Sequence, residues 1–540
     1  MAVSGLPFLL RDSSRAINVH AADTVVILSG HNENVRFELG QGFQRWYKEK
    51  TGRTVFVDWR FLGGVVEIVR YLESVYSAAF RYHWEHELGL SWTSEVQQIF
   101  GQRTEDRSRW DTPLKKEVCG TFYDSKISSA IDLFFGGGVS EFAIQADRGA
   151  LVDCGFLGEH PELFNGDVIP AFLAGEHLWD PNGRWFGQVL STFGILYNRE
   201  AIAALGLRDE DICQWWQLAD PKLFGAIALV DPTKSSAVLK AYEMVVQQQI
   251  ALCLEELQKQ TLSGEHGKKT AEQLAIREGW LRGLRLLQLI SANTRYYADT
   301  PTKMILDISS GNSAAGPIVD AMGNAQVDFD RQRCGWERLA FVLPQNGSAI
   351  SPDPIGILRG APNESVAKLF LEYVLGESGQ KVVAFAVGAP GGPVRNALFR
   401  PPVNRKIYAA DYASCRSFQG DPFQDLAACD FHPERTASIY NALKWTVKFA
   451  FMIPHRELVE AWNAILKARE EGRTAAAETA LELLQDFSEF AFDEVNVTLA
   501  TMLRPDKPAL ALEAQRQLVR RFQKQYREAR RIAEGHHTSI

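Results

Sequence analysis

Strand and helix patterns alternate at the start of this chain, and the alternation constrains the fold more than any other feature of the sequence. Residues 24–29 form a near-continuous apolar run, which suits a strand that is buried on both faces of a sheet. Residues 32–50 place apolar side chains at helical spacing, and 54–59 and 65–79 repeat the strand and the helix. This order predicts an α/β fold with a parallel sheet and helices on both of its faces.

Length and composition are those of a soluble globular protein with more than one domain. The chain has 540 residues, of which 46% are hydrophobic and 23% are charged. Its net charge of −8 does not favour a nucleic-acid partner, and we expect none. No apolar run reaches the length of about 20 residues that a transmembrane helix requires.

Two segments in the middle of the chain place polar groups at the ends of strands. Residues 186–198 (FGQVLSTFGILYN) predict a long strand that carries the chain from one lobe to another, through Ser191 and Thr192. Residues 226–230 predict a second strand, which runs into a DPT triplet at 231–233 and the start of a helix. Corners of this kind present backbone N–H groups and hydroxyls to an anion.

Short blocks of sequence follow one another in an order that is typical of one protein family. Among them are VVILSGHNE at 25–33, DLFFGGG at 132–138, WFG at 185–187, DPT at 231–233 and SPDPIGI at 351–357. With these blocks the chain resembles the extracellular solute-binding proteins of ABC importers (family 1), in their iron- and phosphonate-type branch. The resemblance covers about 24–408, and it is the order of the blocks that makes it specific.

The resemblance implies a two-lobed periplasmic-binding-protein fold of type II, with two strands crossing between the lobes. The ligand is then held in the interlobe cleft, and closure about the crossing strands traps it. Helical periodicity after about residue 429 adds an all-helical extension. The expected boundaries are 1–21 for the remnant of an export signal or anchor, 22–188 and 340–430 for lobe one, 82–126 for a helical insertion within it, 189–339 for lobe two and 431–540 for the extension.

The cleft is expected to form from loops at the carboxyl ends of strands, which supply hydroxyls and backbone N–H groups. His31 suits an anion or a metal, whereas Asn32 suits a plain helix cap equally well. Consecutive glycines let the backbone approach a ligand closely, or form a tight turn without one. The predicted ligand-binding residues are Ser29, His31, Asn32, Gly136, Gly137, Gly138, Ser191, Thr192, Thr233, Ser235, Ser236, Ser313 and Gly316.

The expected ligand is a small oxyanion, such as a phosphonate, a phosphate ester, a sugar phosphate or a carboxylate. Ferric-binding members of the branch carry paired tyrosines, because Fe(III) prefers phenolate and carboxylate oxygens. The stretch that looks equivalent, 311–325, has no tyrosine, and we expect the pair Tyr296-Tyr297 to pack at the end of a helix. Ferric iron is therefore the alternative ligand, and we expect no cofactor.

The sequence favours a binding protein over an enzyme. His83 and Glu87 are four residues apart on a predicted helix, where a surface pair is the simpler interpretation, and neither a GxSxG elbow nor a Walker loop occurs. The expected partner is a membrane permease, and we expect a periplasmic or extracytoplasmic monomer that associates with the membrane through its N-terminal segment. The alternative role is a sensor or scaffold, in which the binding core and the helical extension engage a partner protein.

Seven cysteines occur along the chain without CxxC or metal-finger spacing. Because their number is odd, at least one has no partner within the chain. Isolated buried thiols are the favoured interpretation, and one disulfide, Cys415 with Cys429, stays open.

Overall fold

The computed structural model describes residues 21–260, 265–424, 431–503 and 507–535. The predicted signal or anchor lies outside the described residues, apart from Ala21. The strands are β1 Asp23–Ser29, β2 Val55–Arg60, β3 Leu133–Phe135, β4 Phe172–Leu173, β5 Glu176–His177, β6 Phe186–Ser191, β7 Phe193–Asn198, β8 Ile227–Val230, β9 Thr294–Ala298, β10 Ala315–Val319, β11 Leu339–Val342 and β12 Ser351–Ile357.

The first sheet has the strand order β2-β1-β3-β12-β6. Strands β1, β2 and β3 are parallel, as the sequence predicts, and β12 is antiparallel both to β3 and to β6. Ile355 lies opposite Phe135, and Ser351 lies opposite Ser191. The carboxyl ends of β1, β3 and β6 and the amino end of β12 therefore meet at one edge.

The second sheet has the order β11-β7-β10-β8-β9. Strand β7 is antiparallel to both of its neighbours, with Val319 opposite Phe193 and Ala315 opposite Tyr197. Strands β8, β9 and β10 are parallel to one another. The start of β7 and the carboxyl ends of the other strands consequently share one edge of this sheet.

The chain passes between the sheets twice, and the predicted α/β class with two lobes and two crossings is confirmed. Residues 186–198 are two strands rather than one, because Thr192 separates β6 in the first sheet from β7 in the second. Strand β11 belongs to the second sheet, so the chain returns to the first only after Val342 and not at residue 340. We call the two sheets with their helices the first and the second lobe.

The helices cover both faces of the sheets and build the C-terminal extension. One prediction about local structure was wrong, since Tyr296-Tyr297 lies in strand β9 instead of at a helix end. The helices are α1 Glu33–Thr51, α2 Val65–Tyr82, α3 Ser94–Gly101, α4 Pro113–Tyr123, α5 Val139–Asp147, α6 Phe156–Glu159, α7 Arg199–Ala204, α8 Ser236–Gln260, α9 Glu265–Ala292, α10 Pro301–Ser309, α11 Asp320–Cys334, α12 Glu364–Leu375, α13 Glu377–Ala384, α14 Pro433–Thr436, α15 Tyr440–Thr446, α16 His455–Glu470, α17 Thr474–Leu484, α18 Val495–Ala500 and α19 Pro508–Ala533.

The C-terminal extension shares its apolar core with the second lobe. Phe522 of α19 is fully buried in the cluster that also contains the strands of the second sheet. Trp462 Nε1 donates a hydrogen bond to Asn293 Oδ1 at 2.9 Å, and Trp280 Nε1 donates to the carbonyl of Phe490 at 2.7 Å. Helices α14 to α19 thus pack as part of the second lobe.

The insertion at 82–126 shares a core with the first lobe in the same way. Phe100 of α3 and Phe122 of α4 lie in one buried cluster with Leu28 and Phe134 of the first sheet. Among the described residues, no helix combines the length and the apolar character that crossing a membrane requires.

Candidate functional site

A cavity of about 840 Å³ lies where the edges of the two sheets face each other. The first lobe contributes His31, Asp353 and Arg400 to its lining, and the second lobe contributes Val319 at the carboxyl end of β10. The C-terminal extension contributes Lys444. Because two lobes and the extension all supply walls, the cavity has the position expected for an interlobe binding site.

Several helices begin at this cavity, and α2, α5 and α8 are among them. Residues at the N-termini of α2, α5 and α8 line it, and the first residues of the three helices are Val65, Val139 and Ser236. The residues that precede α2 and α5 are Gly64 and Gly138, neither of which supplies a side-chain cap. Helix N-termini carry partial positive charge and unpaired N–H groups, so their convergence favours an anion.

The lobes touch at two of these helix N-termini. A Cβ atom on Gly64 would lie 2.9 Å from the carbonyl oxygen of Lys234, and one on Gly138 would lie 3.9 Å from Cβ of Ser236. Both pairs join the first lobe to the second. The structure therefore has the cleft closed at this point.

The floor of the cavity on the first lobe is a hydrogen-bonded network around Asp353. His31 Nε2 lies 2.8 Å from Asp353 Oδ2, and Arg400 contacts the same carboxylate. Arg400 Nη1 also lies 3.0 Å from His31 Nε2, and the backbone N–H of Gly137 donates to Asp353 Oδ1 at 2.9 Å. One carboxylate thus fixes a histidine, an arginine and the glycine loop together.

Burial and charge act in opposite directions on this network. Burial alone would raise the pKa of Asp353, but Arg400 and His31 hold it well below its usual range. Burial lowers the pKa of His31, and the contact with Asp353 offsets part of that shift. Asp353 is therefore ionised.

Ser29, His31 and Asp353 form a hydrogen-bonded chain that superficially resembles a catalytic triad. Ser29 Oγ lies 2.9 Å from His31 Nδ1 and also accepts a hydrogen bond from the His31 backbone N–H. However, Ser29 is completely buried, so no substrate reaches its hydroxyl. Its role is to orient the His31 ring.

Seven of the thirteen predicted site residues line the cavity, and they come from both lobes. Three more are close to it but are engaged within the protein. Asn32 caps α1 by accepting a hydrogen bond from Val35 N–H, Thr192 Oγ1 donates to Asp320 Oδ2 at 2.9 Å, and Ser29 holds His31. The seven that line the cavity are His31, Gly136, Gly137, Gly138, Ser191, Ser235 and Ser236.

The remaining three predicted residues do not reach the cavity. Thr233 donates hydrogen bonds from its N–H and its hydroxyl to Asp231 Oδ1. Both of these donors are therefore used within the DPT corner. Ser313 and Gly316 lie at the start of β10, whereas the cavity is at its end, beside Val319. Ser313 and Gly316 are therefore at the opposite end of this strand from the cavity.

Several residues that line the cavity were not predicted. Asp353 had a signal in the sequence, since it is a carboxylate between two prolines in an otherwise apolar strand. Arg400 had none, because only the fold brings it near His31. Arg70 had none, because the sequence does not show which face of α2 lies on the cavity. Lys444 was not predicted because the cleft was expected to form from the two lobes, without the extension.

The charged residues of the cavity divide into paired and unpaired groups. Lys240 is fully engaged, with Glu176 at 2.9 Å and Glu243 at 3.1 Å. By contrast, Arg70 and Lys444 form no ion pair with any residue in the described part of the chain. These two cations are available to a ligand.

Metal-binding features are few. No group of three or more His, Cys, Asp or Glu residues is arranged for a metal ion within the described residues. The tyrosine pair is engaged elsewhere, since Tyr296 contacts Asp307 and Tyr297 lies 2.7 Å from Ser291 Oγ. Cys415 is a free thiol, and Cys429, its proposed partner, lies outside the described residues.

A second cavity, of about 670 Å³, opens on the first lobe alone. Arg184 and Arg359 are among its lining residues, but Arg184 is paired with Asp180 and Glu105. None of the residues that line it belongs to the second lobe. It therefore lacks the interlobe position of the larger cavity.

Two curated proteins are similar to part of this chain. The chain is 26% identical over 233 residues to the phosphoglycerate transport regulatory protein PgtC of Salmonella typhimurium, an alignment that covers 43% of this chain and 48% of the relative. It is 25% identical over 193 residues to an uncharacterised protein of Haemophilus influenzae, with 35% and 44% covered. The chain thus spans about half the length of the curated relatives that it matches.

Solved structures of periplasmic binding proteins are also similar. Apo ferric ion-binding protein A of Pasteurella haemolytica is 15% identical, with a TM-score of 0.45 and coverage of 79% of this chain and 97% of that one. AfuA of Actinobacillus pleuropneumoniae, with fructose 6-phosphate bound, is 15% identical, with a TM-score of 0.43 and coverage of 78% and 98%. The sequence profile of the bacterial extracellular solute-binding proteins matches residues 122–413. Since this match takes in more than half of the 540 residues, the chain belongs to the bacterial extracellular solute-binding proteins.

Proposed function

We propose that this protein is the substrate-binding receptor of an ABC importer and that it captures a small anionic ligand between its lobes. The observation that carries the proposal is the convergence of the N-termini of α2, α5 and α8 on one interlobe cavity. Two unpaired cations, Arg70 and Lys444, face the same space. Helix N-termini and guanidinium or ammonium groups are the partners that phosphate and carboxylate groups prefer.

The name of one curated relative supports a phosphorylated ligand. The name of the Salmonella protein refers to phosphoglycerate transport. A phosphate ester, a sugar phosphate, a phosphonate and a carboxylate all have the charge that the cavity favours. The receptor is then a periplasmic or extracytoplasmic monomer that delivers its ligand to a membrane permease, without catalysing a reaction.

A ligand screen tests the proposal. Protein purified under native conditions is examined by mass spectrometry and then by thermal unfolding with phosphoglycerates, sugar phosphates, phosphonates and ferric citrate. We expect an organic anion to raise the unfolding temperature. If Fe(III) binds tightly with a tyrosinate absorption band and the organic anions have no effect, the ligand is iron and not an oxyanion. Steady turnover of any compound would contradict the receptor function.

A substitution at a helix N-terminus supplies a sharper test. Ser236→Asp places a carboxylate at the N-terminus of α8, where it stabilises the helix dipole but repels an anionic ligand. We expect affinity to fall at least tenfold without loss of thermal stability. Ser94→Asp makes the same change at the exposed N-terminus of α3, away from the cavity, and should leave affinity unchanged.

A second candidate function is regulatory, and the name of the same relative favours it. In that case the ligand-bound core signals to a partner protein instead of delivering its ligand. Transport of the ligand into cells that carry this protein with its permease, and loss of that uptake on deletion, supports the receptor. Unchanged uptake with altered expression of transport genes supports the regulator.

A further inference from the structure

The C-terminal extension lies beyond the residues that match the family profile, yet it forms one wall of the cavity. The matched residues end at 413, and the described residues of the extension begin at 431. Its buried side chains fix it to the second lobe, as described above. The residues of the extension that line the cavity are Phe431, Pro433, Ala437, Tyr440, Asn441 and Lys444.

Lys444 is held in place by its own helix. Leu443, beside it in α15, is buried in the core of the second lobe. Lys448, four residues later, contacts Asp231 at the DPT corner of the second lobe. With these two neighbours anchored to the second lobe, Lys444 lines the cavity.

The surroundings of Lys444 contain unsatisfied polar groups. Burial lowers the pKa of Lys444, while Glu141 raises it and Arg70 lowers it, so both groups act on the ammonium from the opposite wall. Glu141 Oε2 is buried without a hydrogen-bond partner among the described residues. Two cations and one unsatisfied carboxylate oxygen therefore converge from the first lobe and the extension on the same region of the cavity.

We propose that Lys444 and Arg70 together hold the phosphate group of an organic phosphate ester, so that the extension determines which ligands bind. This inference rests on the proposed function and specifies it. A cavity of about 840 Å³ has room for far more than a phosphate ion. The ligand class is therefore an organic phosphate ester.

Titration calorimetry with matched variants tests this assignment. The probes are 3-phosphoglycerate, fructose 6-phosphate, their unphosphorylated counterparts and inorganic phosphate. Lys444→Gln should weaken binding of a phosphate ester by about tenfold to a hundredfold, the usual cost of losing a charged hydrogen bond. Lys444→Arg should retain most of the affinity. Lys467→Gln, on an exposed face of α16 in the same extension, should bind like the wild type.

The outcomes separate the two proposals. If the wild type binds an ester and Lys444→Gln binds it equally well, the extension does not contact the ligand and only the receptor function stands. Preference for inorganic phosphate over every ester overturns the ligand class. If the wild type binds none of the anions, the proposed function itself fails. Thermal unfolding of each variant shows whether a loss of affinity reflects a loss of folded protein.

Discussion

Asp353 contacts His31 and Arg400 at the floor of the cavity. Removal of its carboxylate leaves both of these side chains buried without their acidic partner. Replacing one member of a buried ion pair typically costs about 3–5 kcal/mol, because the remaining charge is uncompensated. We therefore expect Asp353→Ala to lower the free energy of unfolding by roughly that amount in urea titrations. Asp58→Ala removes the partly exposed partner of Arg60 and should cost no more than about 1 kcal/mol. Equal losses in the two variants would mean that the Asp353 network contributes nothing beyond a surface pair.

Asp320, near the first crossing, makes stability depend on pH with a defined sign. Burial raises the pKa of Asp320 to about 6, so the folded state binds a proton more tightly than the unfolded state. The stabilisation is present below the unfolded pKa of 3.8 and is lost as the pH rises through about 6. The stability of Asp320→Asn relative to the wild type should therefore increase by about 2–3 kcal/mol between pH 4 and pH 8. Urea titrations at several pH values measure this difference, and a constant difference would contradict the assignment.

Individual elements were predictable to very different degrees. The strands and helices around β1 and β2 follow from apolar periodicity, since each is a local pattern of buried side chains. The direction of β10 is not local, because it depends on pairing with β7, more than a hundred residues earlier. The sequence therefore does not show that Ser313 and Gly316 lie at the end of β10 away from the cavity. The contact of Asp353 with His31 and Arg400 likewise joins residues that are distant in sequence. Sequence periodicity does not specify such pairings.

Helix α19 provides the test of how the extension is attached. Phe522 is fully buried in the cluster shared with the second sheet, whereas Leu510 on the same helix is 60% exposed. Large-to-small changes at buried aromatic residues cost about 3–5 kcal/mol, so Phe522→Ala should lower the free energy of unfolding by that order. Leu510→Ala should change it by less than about 1 kcal/mol. If both variants unfold like the wild type, α19 is an appendage rather than part of the lobe.

At the scale of the whole molecule, the extension changes what closure involves. In a two-lobed receptor the ligand is enclosed when the lobes rotate about their crossing strands. Here the second lobe carries the extension with it, and the backbone of Phe431 meets Gly175 of the β4–β5 hairpin in the first lobe. Lys240 of the second lobe is paired with Glu176 of the same hairpin. Separation of the lobes would break this buried ion pair as well as open the cavity.

An engineered disulfide tests whether this closed arrangement exists in solution. The Cβ positions of Gly138 and Ser236 are 3.9 Å apart, within the range of about 3.5–4.5 Å that a disulfide requires. Gly138 has a φ of −90°, which a cysteine adopts readily, although its Cβ would lie 2.5 Å from Glu141 Oε2 and the end of that side chain must move. We expect the double variant Gly138→Cys/Ser236→Cys to form this bond under mild oxidation and to hold the first and second lobes together. Small-angle scattering should then detect no change in the radius of gyration on addition of a ligand, and exchange of bound ligand should slow.

The reduced form of the same double variant is the matched control, because it carries both substitutions and leaves the hinge free. It should recover ligand exchange at the rate of the single variant Ser236→Cys. Failure of the cysteines to pair, with both lobes folded, would show that the N-termini of α5 and α8 do not approach each other in solution. Pairing without any effect on exchange would mean that ligand enters by a route other than separation of the lobes. In that case we expect the entrance for the ligand to lie in the wall that the extension forms, beside Lys444.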